Sequence, residues 1–239
     1  HTECCVMINS IFNGKIDIHG GGFDLKFPHH ENEIAQAKAH DGHEIANIWM
    51  HNGFINFGEE KMSKSLGNVV LAKDAIKEFG GNVLRFLILS TQYRAPVSFT
   101  SEAVESVKNE LARIQKAYNQ LAVKIQLNHG SLNAKPDNLE KFLSALADDL
   151  NTSNAIACVF EELKNANNLL RSNPVDIPKI ETSFANLKTM LSILGIQLNY
   201  SVLTSDLEVV YNKYLELKAL KQFEESDKLR DVLIKNNIL

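Results

Sequence analysis

The sequence predicts an α/β unit followed by an all-α region, and three observations support this. Near the start of the chain, short apolar runs such as residues 16–19 end in glycines, which is typical of strands that lead into turns. From Thr100 onward, apolar residues alternate steps of three and four, which is the period of an amphipathic helix. Between these two patterns, Gly58 and Gly67 flank a loop that contains lysines and serines.

Length and composition are those of a globular protein. The chain has 239 residues, of which 44% are hydrophobic and 23% are charged, so one or two domains with a sizeable core are expected. No apolar run reaches membrane-spanning length, and we expect no membrane partner. The formal net charge of -4 shows no overall basic character, so any face that binds nucleic acid must be created by folding. The three cysteines form no disulfide framework, which favours a cytoplasmic location and a free core thiol at Cys158.

The α/β unit is predicted to contain strands at residues 6–8 and 16–19 and then a helix. Three glycines at residues 20–22 follow the second strand and would let a ligand approach the backbone closely, although a plain turn is the alternative. Pro28 is expected at the first helical position. His29 and Glu33 are then four residues apart and share one face of that helix. We expect the helix to end near Gly42.

These two side chains could hold a metal ion if a thiolate joined them. Cys4 or Cys5 would complete a sulfur, nitrogen and oxygen set suited to zinc, and the spacing does not choose between them. The alternative is a surface hydrogen bond between His29 and Glu33, which is a common use of such a pair.

The loop at residues 58–67 suits a polyanion such as a triphosphate. Lys61 and Lys64 lie three residues apart beside Ser63 and Ser65, and the flanking glycines give the backbone freedom to close. We predict a mobile phosphate clamp, and a solvated turn is the alternative.

The all-α region is predicted from apolar stripes and capping residues. Thr100 is expected to cap the first helix, and Asp137 with Glu140 is expected to form a capping box for the second. Two more helices and a final pair beyond Ser201 follow from the same periodicity. The buried stripe of the first helix is predicted to comprise Val104, Val107, Leu111, Ile114, Tyr118, Leu121 and Ile125.

Several stretches together resemble the cysteinyl-tRNA synthetases, a family of class I aminoacyl-tRNA synthetases. The matching stretches are residues 18–33, 49–53, 61–68, 93–94 and 148–152. The resemblance implies the C-terminal part of a Rossmann-like class I catalytic domain with a KMSKS loop, followed by an antiparallel helical bundle. The implied division is residues 1–58 for the catalytic part with its zinc site, 59–100 for the KMSKS loop and a linker to the tRNA stem, 101–202 for a tRNA-binding bundle and 203–239 for the start of an anticodon-binding region.

The implied function is ATP-dependent attachment of cysteine to tRNA(Cys) through cysteinyl-adenylate. In the family one zinc ion per chain selects the substrate thiolate, and its ligands correspond here to Cys4, His29 and Glu33. L-cysteine would be held by His19 and Asp24.

The resemblance also implies how ATP, with its Mg²⁺, would be held. Lys64 would act on the departing pyrophosphate with support from Lys61, and Gly21, Gly22 and Asp24 would contact the nucleotide. The family's first cysteine ligand and its His-Ile-Gly-His signature have no counterpart in this sequence, which begins without an initiating methionine. We therefore expect this fragment to be inactive alone. We also expect a monomer. The alternatives are a ligase that joins cysteine to an amino-sugar inositol in mycothiol synthesis, or a non-catalytic tRNA-binding fragment.

Overall fold

The computed structural model of the chain describes residues 1–57, 60–61 and 70–239, and its first part is α/β. The elements are α1 (Thr2–Phe12), β1 (Ile16–Gly22), α2 (Glu31–Asp41) and β2 (Ala46–Asn52). Strands β1 and β2 are parallel neighbours, with His19 opposite Trp49 and Gly21 opposite His51. Parallel strands need a crossover, and α2 lies in it. A small core of Cys5, Ile8, Ala37, Ile45 and Ala46 joins these elements.

The predicted strand at residues 6–8 is wrong, because these residues lie inside α1. Cys5 and Ile8, three residues apart on one helical face, are both buried, whereas Val6 and Met7 between them are exposed. A short apolar run fits a strand and a helix face equally well, so packing decided the outcome.

Helix α2 begins later than predicted. Phe23–Leu25 forms a short 3-10 turn, and Lys26–His30 forms an irregular helical turn before the α-helix starts at Glu31. The backbone is non-helical at Phe27 and helical from Pro28 onward, so Pro28 takes the first helical position as predicted, and only the regular α-helix begins later, at Glu31. The helix ends at Asp41, with Gly42 at φ 73° in the C-cap position, as predicted.

A second sheet follows the first. It consists of β3 (Ile55–Phe57), β4 (Glu60–Lys61) and β5 (Val97–Ser98), with β3 in the centre, antiparallel to β4 and parallel to β5. The backbone N–H of Gly53 donates a hydrogen bond of 2.7 Å to the carbonyl of Tyr93. A Cβ at Gly53 would collide with the carbonyl of Ala95, so this close approach requires glycine.

The rest of the described chain is helical. The helices are α3 (Ala72–Phe79), α4 (Gly81–Leu89), α5 (Ser101–Leu127), α6 (Glu140–Ala147), α7 (Thr152–Arg171), α8 (Ile177–Ile193), α9 (Ser205–Ala219) and α10 (Phe223–Lys235). The seven residues predicted as the stripe of α5 are all buried. Thr100 caps α5, since its hydroxyl accepts a hydrogen bond of 3.1 Å from the N–H of Ala103. No helix in the described ranges combines the length and apolar character that a membrane span requires.

The predicted capping box at Asp137 and Glu140 is wrong. Helix α6 begins at Glu140, and its cap position is Leu139, whose side chain makes no capping bond. The backbone N–H of Asp137 donates instead to the side-chain oxygen of Asn186 on α8, at 2.8 Å. A tertiary hydrogen bond has therefore replaced the local one.

The main core lies where α5, α7 and α8 pack together. Its fully buried side chains include Ile114 and Leu121 of α5 and Phe184 of α8, and Cys158 of α7 is buried as predicted. A smaller cluster of Val123, Tyr214, Leu233 and Ile238 attaches α9 and α10 to α5.

Two stretches that carry the family resemblance contact each other. The hydroxyl of Tyr93 donates a hydrogen bond of 3.0 Å to Asp149, and Arg94 forms an ion pair of 2.9 Å with the same carboxylate. Asp149 and Leu150 both have left-handed backbone angles, with φ of 50° and 54°. These contacts connect the segment beside Gly53 to the turn before α7.

Candidate metal centre and its histidine cluster

Helix α1, the turn Lys26–His30 and helix α2 bring the three predicted metal ligands together. The sulfur of Cys4 lies 3.7 Å from Nε2 of His29, and this nitrogen lies 3.0 Å from Oε1 of Glu33. One ligand atom from each of the three residues lies within 4.8 Å of the others. Cys5 points elsewhere, because it is buried and its thiol donates to the backbone carbonyl of Glu33 at 3.6 Å. The geometry thus favours Cys4, a choice that the spacing left open.

The carboxylate of Glu33 is the group whose burial would be stabilised most by a nearby cation. Its side chain is fully buried, and Oε1 has no hydrogen-bond partner in the described part of the chain, because the contact with His29 lacks hydrogen-bond geometry. A buried carboxylate oxygen without a donor is costly. The sulfur, nitrogen and oxygen atoms form a donor set that suits zinc, so these residues fit the ion that the sequence predicted.

The environment of the thiol also matters for metal binding. Burial raises the pKa of Cys4, and the Glu33 carboxylate beside it raises that pKa further. A nearby cation would reverse this effect, since metal binding displaces the thiol proton.

The second oxygen of Glu33 is held by a histidine of the sheet. Nε2 of His19 on β1 lies 2.7 Å from Oε2, while Oε1 faces Cys4 and His29. His19, His30 and Glu33 form a second group whose ligand atoms lie within 4.8 Å of one another. Because both groups share Glu33, its carboxylate connects Cys4 and His29 on one side with His19 and His30 on the other.

Beside His19 lies a cluster of aromatic rings that the sequence analysis missed, in which His30 is buried and Trp49 and His51 are partly buried. His30 is buried, its Nδ1 lies 2.8 Å from Nε2 of His51, and its ring centroid lies 4.8 Å from that of His19. The ring of Trp49 lies 4.7 Å from His19 and 5.0 Å from His30. Burial lowers the pKa of His30, and the neighbouring His19 lowers it further. The parallel register of β1 and β2 creates this cluster, and that register has no local signal in the sequence.

Two of the glycines at the end of β1 lie close to the protein's own side chains. A Cβ on Gly21 would lie 2.8 Å from Cε1 of His30, and a Cβ on Gly22 would lie 2.5 Å from Oδ1 of Asp24. Asp24 itself lies in the turn Phe23–Leu25, directly after β1. The nucleotide role predicted for Gly21, Gly22 and Asp24 stays a prediction.

Gly21→Ala is expected to destabilise the protein by about 1–3 kcal/mol, because the new methyl group must displace His30. Gly20→Ala is the matched control, since a Cβ there meets nothing closer than the Met50 carbonyl at 3.9 Å. Denaturant unfolding of the two variants measures the difference. Equal decreases in stability would contradict the packing role of Gly21.

The predicted phosphate clamp is described only in part. The backbone of Lys61 pairs with Asn56 of β3 at the end of β4. Lys64 lies outside the described residues, as does the side chain of Lys61.

Comparisons with known proteins agree with this architecture. Residues 1–109 match the family described as tRNA synthetases class I (C) catalytic domain, and residues 141–199 match the DALR domain. The ternary complex of Agrobacterium radiobacter K84 agnB2 LeuRS with tRNA and LeuAMS has a similar fold, with a TM-score of 0.59 at 21% identity, covering 74% of this chain and 25% of that one. These matches give the chain a catalytic domain of the class I tRNA synthetases followed by a DALR domain.

Curated relatives identify the family within this class. The Cysteine--tRNA ligase of Oceanobacillus iheyensis is 40% identical over 252 aligned positions, which cover 100% of this chain and 53% of the relative. That of Streptococcus agalactiae is 41% identical and covers 100% of this chain and 51% of the relative. The chain belongs to the cysteine–tRNA ligase family, and it spans about half the length of the curated relatives it matches.

Proposed function

We propose that this chain is part of an enzyme that attaches cysteine to tRNA(Cys), with ATP as the energy source and cysteinyl-adenylate as the intermediate. The observation that carries the proposal is the meeting of Cys4, His29 and Glu33 around a buried carboxylate oxygen that accepts no hydrogen bond from the described residues. Relatives named Cysteine--tRNA ligase that match the whole chain support the same assignment.

The zinc-binding side chains would serve amino-acid selection. Cysteine and serine differ by one atom, and a pocket that measures size alone separates such substrates by only about 1–3 kcal/mol. When bound, a zinc ion supplies a preference for a thiolate over a hydroxyl. Cys4, His29 and Glu33 would hold that ion, and His19 would keep the Glu33 carboxylate oriented while also contacting the cysteine substrate.

Other residues would hold the nucleotide and the reacting groups. Lys64, supported by Lys61, would neutralise the charge of the departing pyrophosphate. Gly21, Gly22 and Asp24 would lie against ATP and its Mg²⁺, and Asp24 would also contact the amino acid. Gly21 lies against His30, whose ligand nitrogen is within 4.8 Å of Glu33, and this proximity supports a shared site.

The helical region would hold the tRNA. The match of residues 141–199 to the DALR domain supports this role. The helices at residues 101–202 would form an antiparallel bundle, and the linker at residues 59–100 would contact the tRNA stem. The 239-residue chain alone is expected to be inactive, because its sequence contains no counterpart of the implied His-Ile-Gly-His signature or of the family's first cysteine ligand.

Charging of tRNA(Cys) with radiolabelled cysteine by the full-length gene product tests the function. We expect cysteine on tRNA, and a decrease of at least about 100-fold in rate for Lys64→Ala, because one charge that stabilises the transition state is removed. Lys188→Ala, on the exposed side of α8, is the control.

An amino-sugar inositol acceptor is offered in a parallel reaction. Transfer of cysteine to this acceptor in place of tRNA would reassign the protein to the mycothiol pathway. Tight tRNA binding without transfer to either acceptor would make it a non-catalytic binding protein.

A further inference from the structure

A basic groove lies between α5, α7 and the last residues of the chain. It has a volume of about 940 Å³, and its described lining includes five basic side chains and no Asp or Glu. The basic residues are Arg113, Lys116 and Lys124 of α5 and Lys164 and Arg171 of α7. Because the whole chain has a formal net charge of -4, this concentration of positive charge is local.

The five side chains form two rows, one on each helix. Arg113, Lys116 and Lys124 follow the helical period along one face of α5, and Lys164 and Arg171 lie seven residues apart on α7. Seven residues are about two helical turns, or about 10 Å along the axis. The row on α5 and the row on α7 therefore line the same groove.

These five cations stand apart from the ion pairs that the described residues form. In the part of the chain that the structure describes, none of the five forms an ion pair, whereas Lys141 pairs with Glu161 at 2.6 Å and Lys179 pairs with Asp176 at 2.8 Å. Four of the five are exposed, and Lys124 is partly buried. A group of like charges without counterions is unfavourable by itself and favours a polyanion.

The remaining lining fits the same kind of ligand. Asn167, Asn168 and Gln120 add amide groups, and Tyr211 adds an aromatic ring. Arg, Lys, Asn and Gln side chains are those that contact phosphate oxygens in nucleic-acid complexes.

We propose that this basic groove binds the phosphate backbone of tRNA. The inference rests on the proposed function, which requires a tRNA, and adds the surface that holds it. Contacts of this kind position an RNA without reading its bases, so the groove would contribute affinity and register and leave nucleotide selection to other contacts.

The test measures tRNA(Cys) binding to the full-length protein by fluorescence anisotropy at several salt concentrations. Arg113→Ala and Lys164→Ala remove one cation from each row. We expect each to weaken binding a few-fold and the double variant to weaken it about tenfold at physiological salt. The slope of log Kd against log salt should fall by about one for each cation removed. Lys188→Ala removes an exposed lysine outside the groove and should leave Kd and slope unchanged.

The possible results distinguish failure of the groove assignment from failure of the proposed function. An unchanged Kd and salt slope in the double variant, with an unchanged melting temperature, would overturn the groove assignment. Equal weakening by Lys188→Ala would also overturn it, because the effect would then be one of total charge. If the wild-type protein shows no cysteine-dependent pyrophosphate exchange and no tRNA binding, the proposed function fails instead.

Discussion

Glu33→Gln is expected to remove stoichiometric zinc from the protein and to lower zinc affinity by at least about 100-fold. The substitution keeps the size of the side chain but removes its charge and places an amide at one of its two oxygen positions. Oε1 faces Cys4 and His29, and Oε2 faces His19 at 2.7 Å, so either orientation of the amide disturbs one side of the site. Metal analysis of the purified full-length protein, with chelator competition, measures the decrease.

The matched control is Glu31→Gln, which changes an exposed carboxylate at the start of the same helix. We expect its zinc content to equal that of the wild type. If Glu33→Gln retains one zinc per chain at wild-type affinity, the metal assignment is wrong. Cysteine-dependent pyrophosphate exchange should fall in parallel with zinc content, because the same residues would serve thiolate selection.

Phe184→Ala is expected to lower the free energy of unfolding by about 3–5 kcal/mol. Phe184 is fully buried on α8, where its ring stacks on Tyr118 of α5 with centroids 4.7 Å apart and meets Tyr200 edge-on at 5.7 Å. The substitution leaves a cavity and removes the packing against both tyrosine rings. Because a domain is stabilised by only about 5–15 kcal/mol in total, this is a large share.

Denaturant unfolding followed by helical circular dichroism measures this destabilisation. Ile193→Ala is the control on the same helix, since Ile193 is 49% exposed and its truncation should cost less than about 1 kcal/mol. Similar decreases for the two variants would show that the packing of α5 against α8 is not a main source of stability. The experiment also tests the helical region independently of metal and substrate.

Periodicity within single helices was predictable from the sequence. The stripe of α5 was expected from steps of three and four, and every residue in it is buried. The cap at Thr100 was likewise expected and forms at 3.1 Å. The relation between His29 and Glu33 survived the later start of α2, because the turn before Glu31 is also helical. Such features depend on residues that are neighbours along the chain.

Long-range packing produced the corrections. Residues 6–8 lie in a helix because Cys5 and Ile8 pack in the small core with Ala37. The cap expected at Asp137 was replaced by a hydrogen bond with Asn186, which is far away in sequence. In both cases a tertiary contact outweighed a local preference of at most a few kcal/mol.

The sequence by itself determined the α/β and helical regions, the helices of the second region and two of the metal-binding candidates. Tertiary structure brought Cys4, and not the sulfur of Cys5, next to the side chains of His29 and Glu33, and it placed His19 on the second oxygen of Glu33. It also gathered the rings of His30, His51 and Trp49 beside His19. It also assembled the basic groove from α5 and α7. The physical reason is that helical periodicity is a local property, whereas strand register and the faces that helices turn toward each other depend on contacts between distant segments.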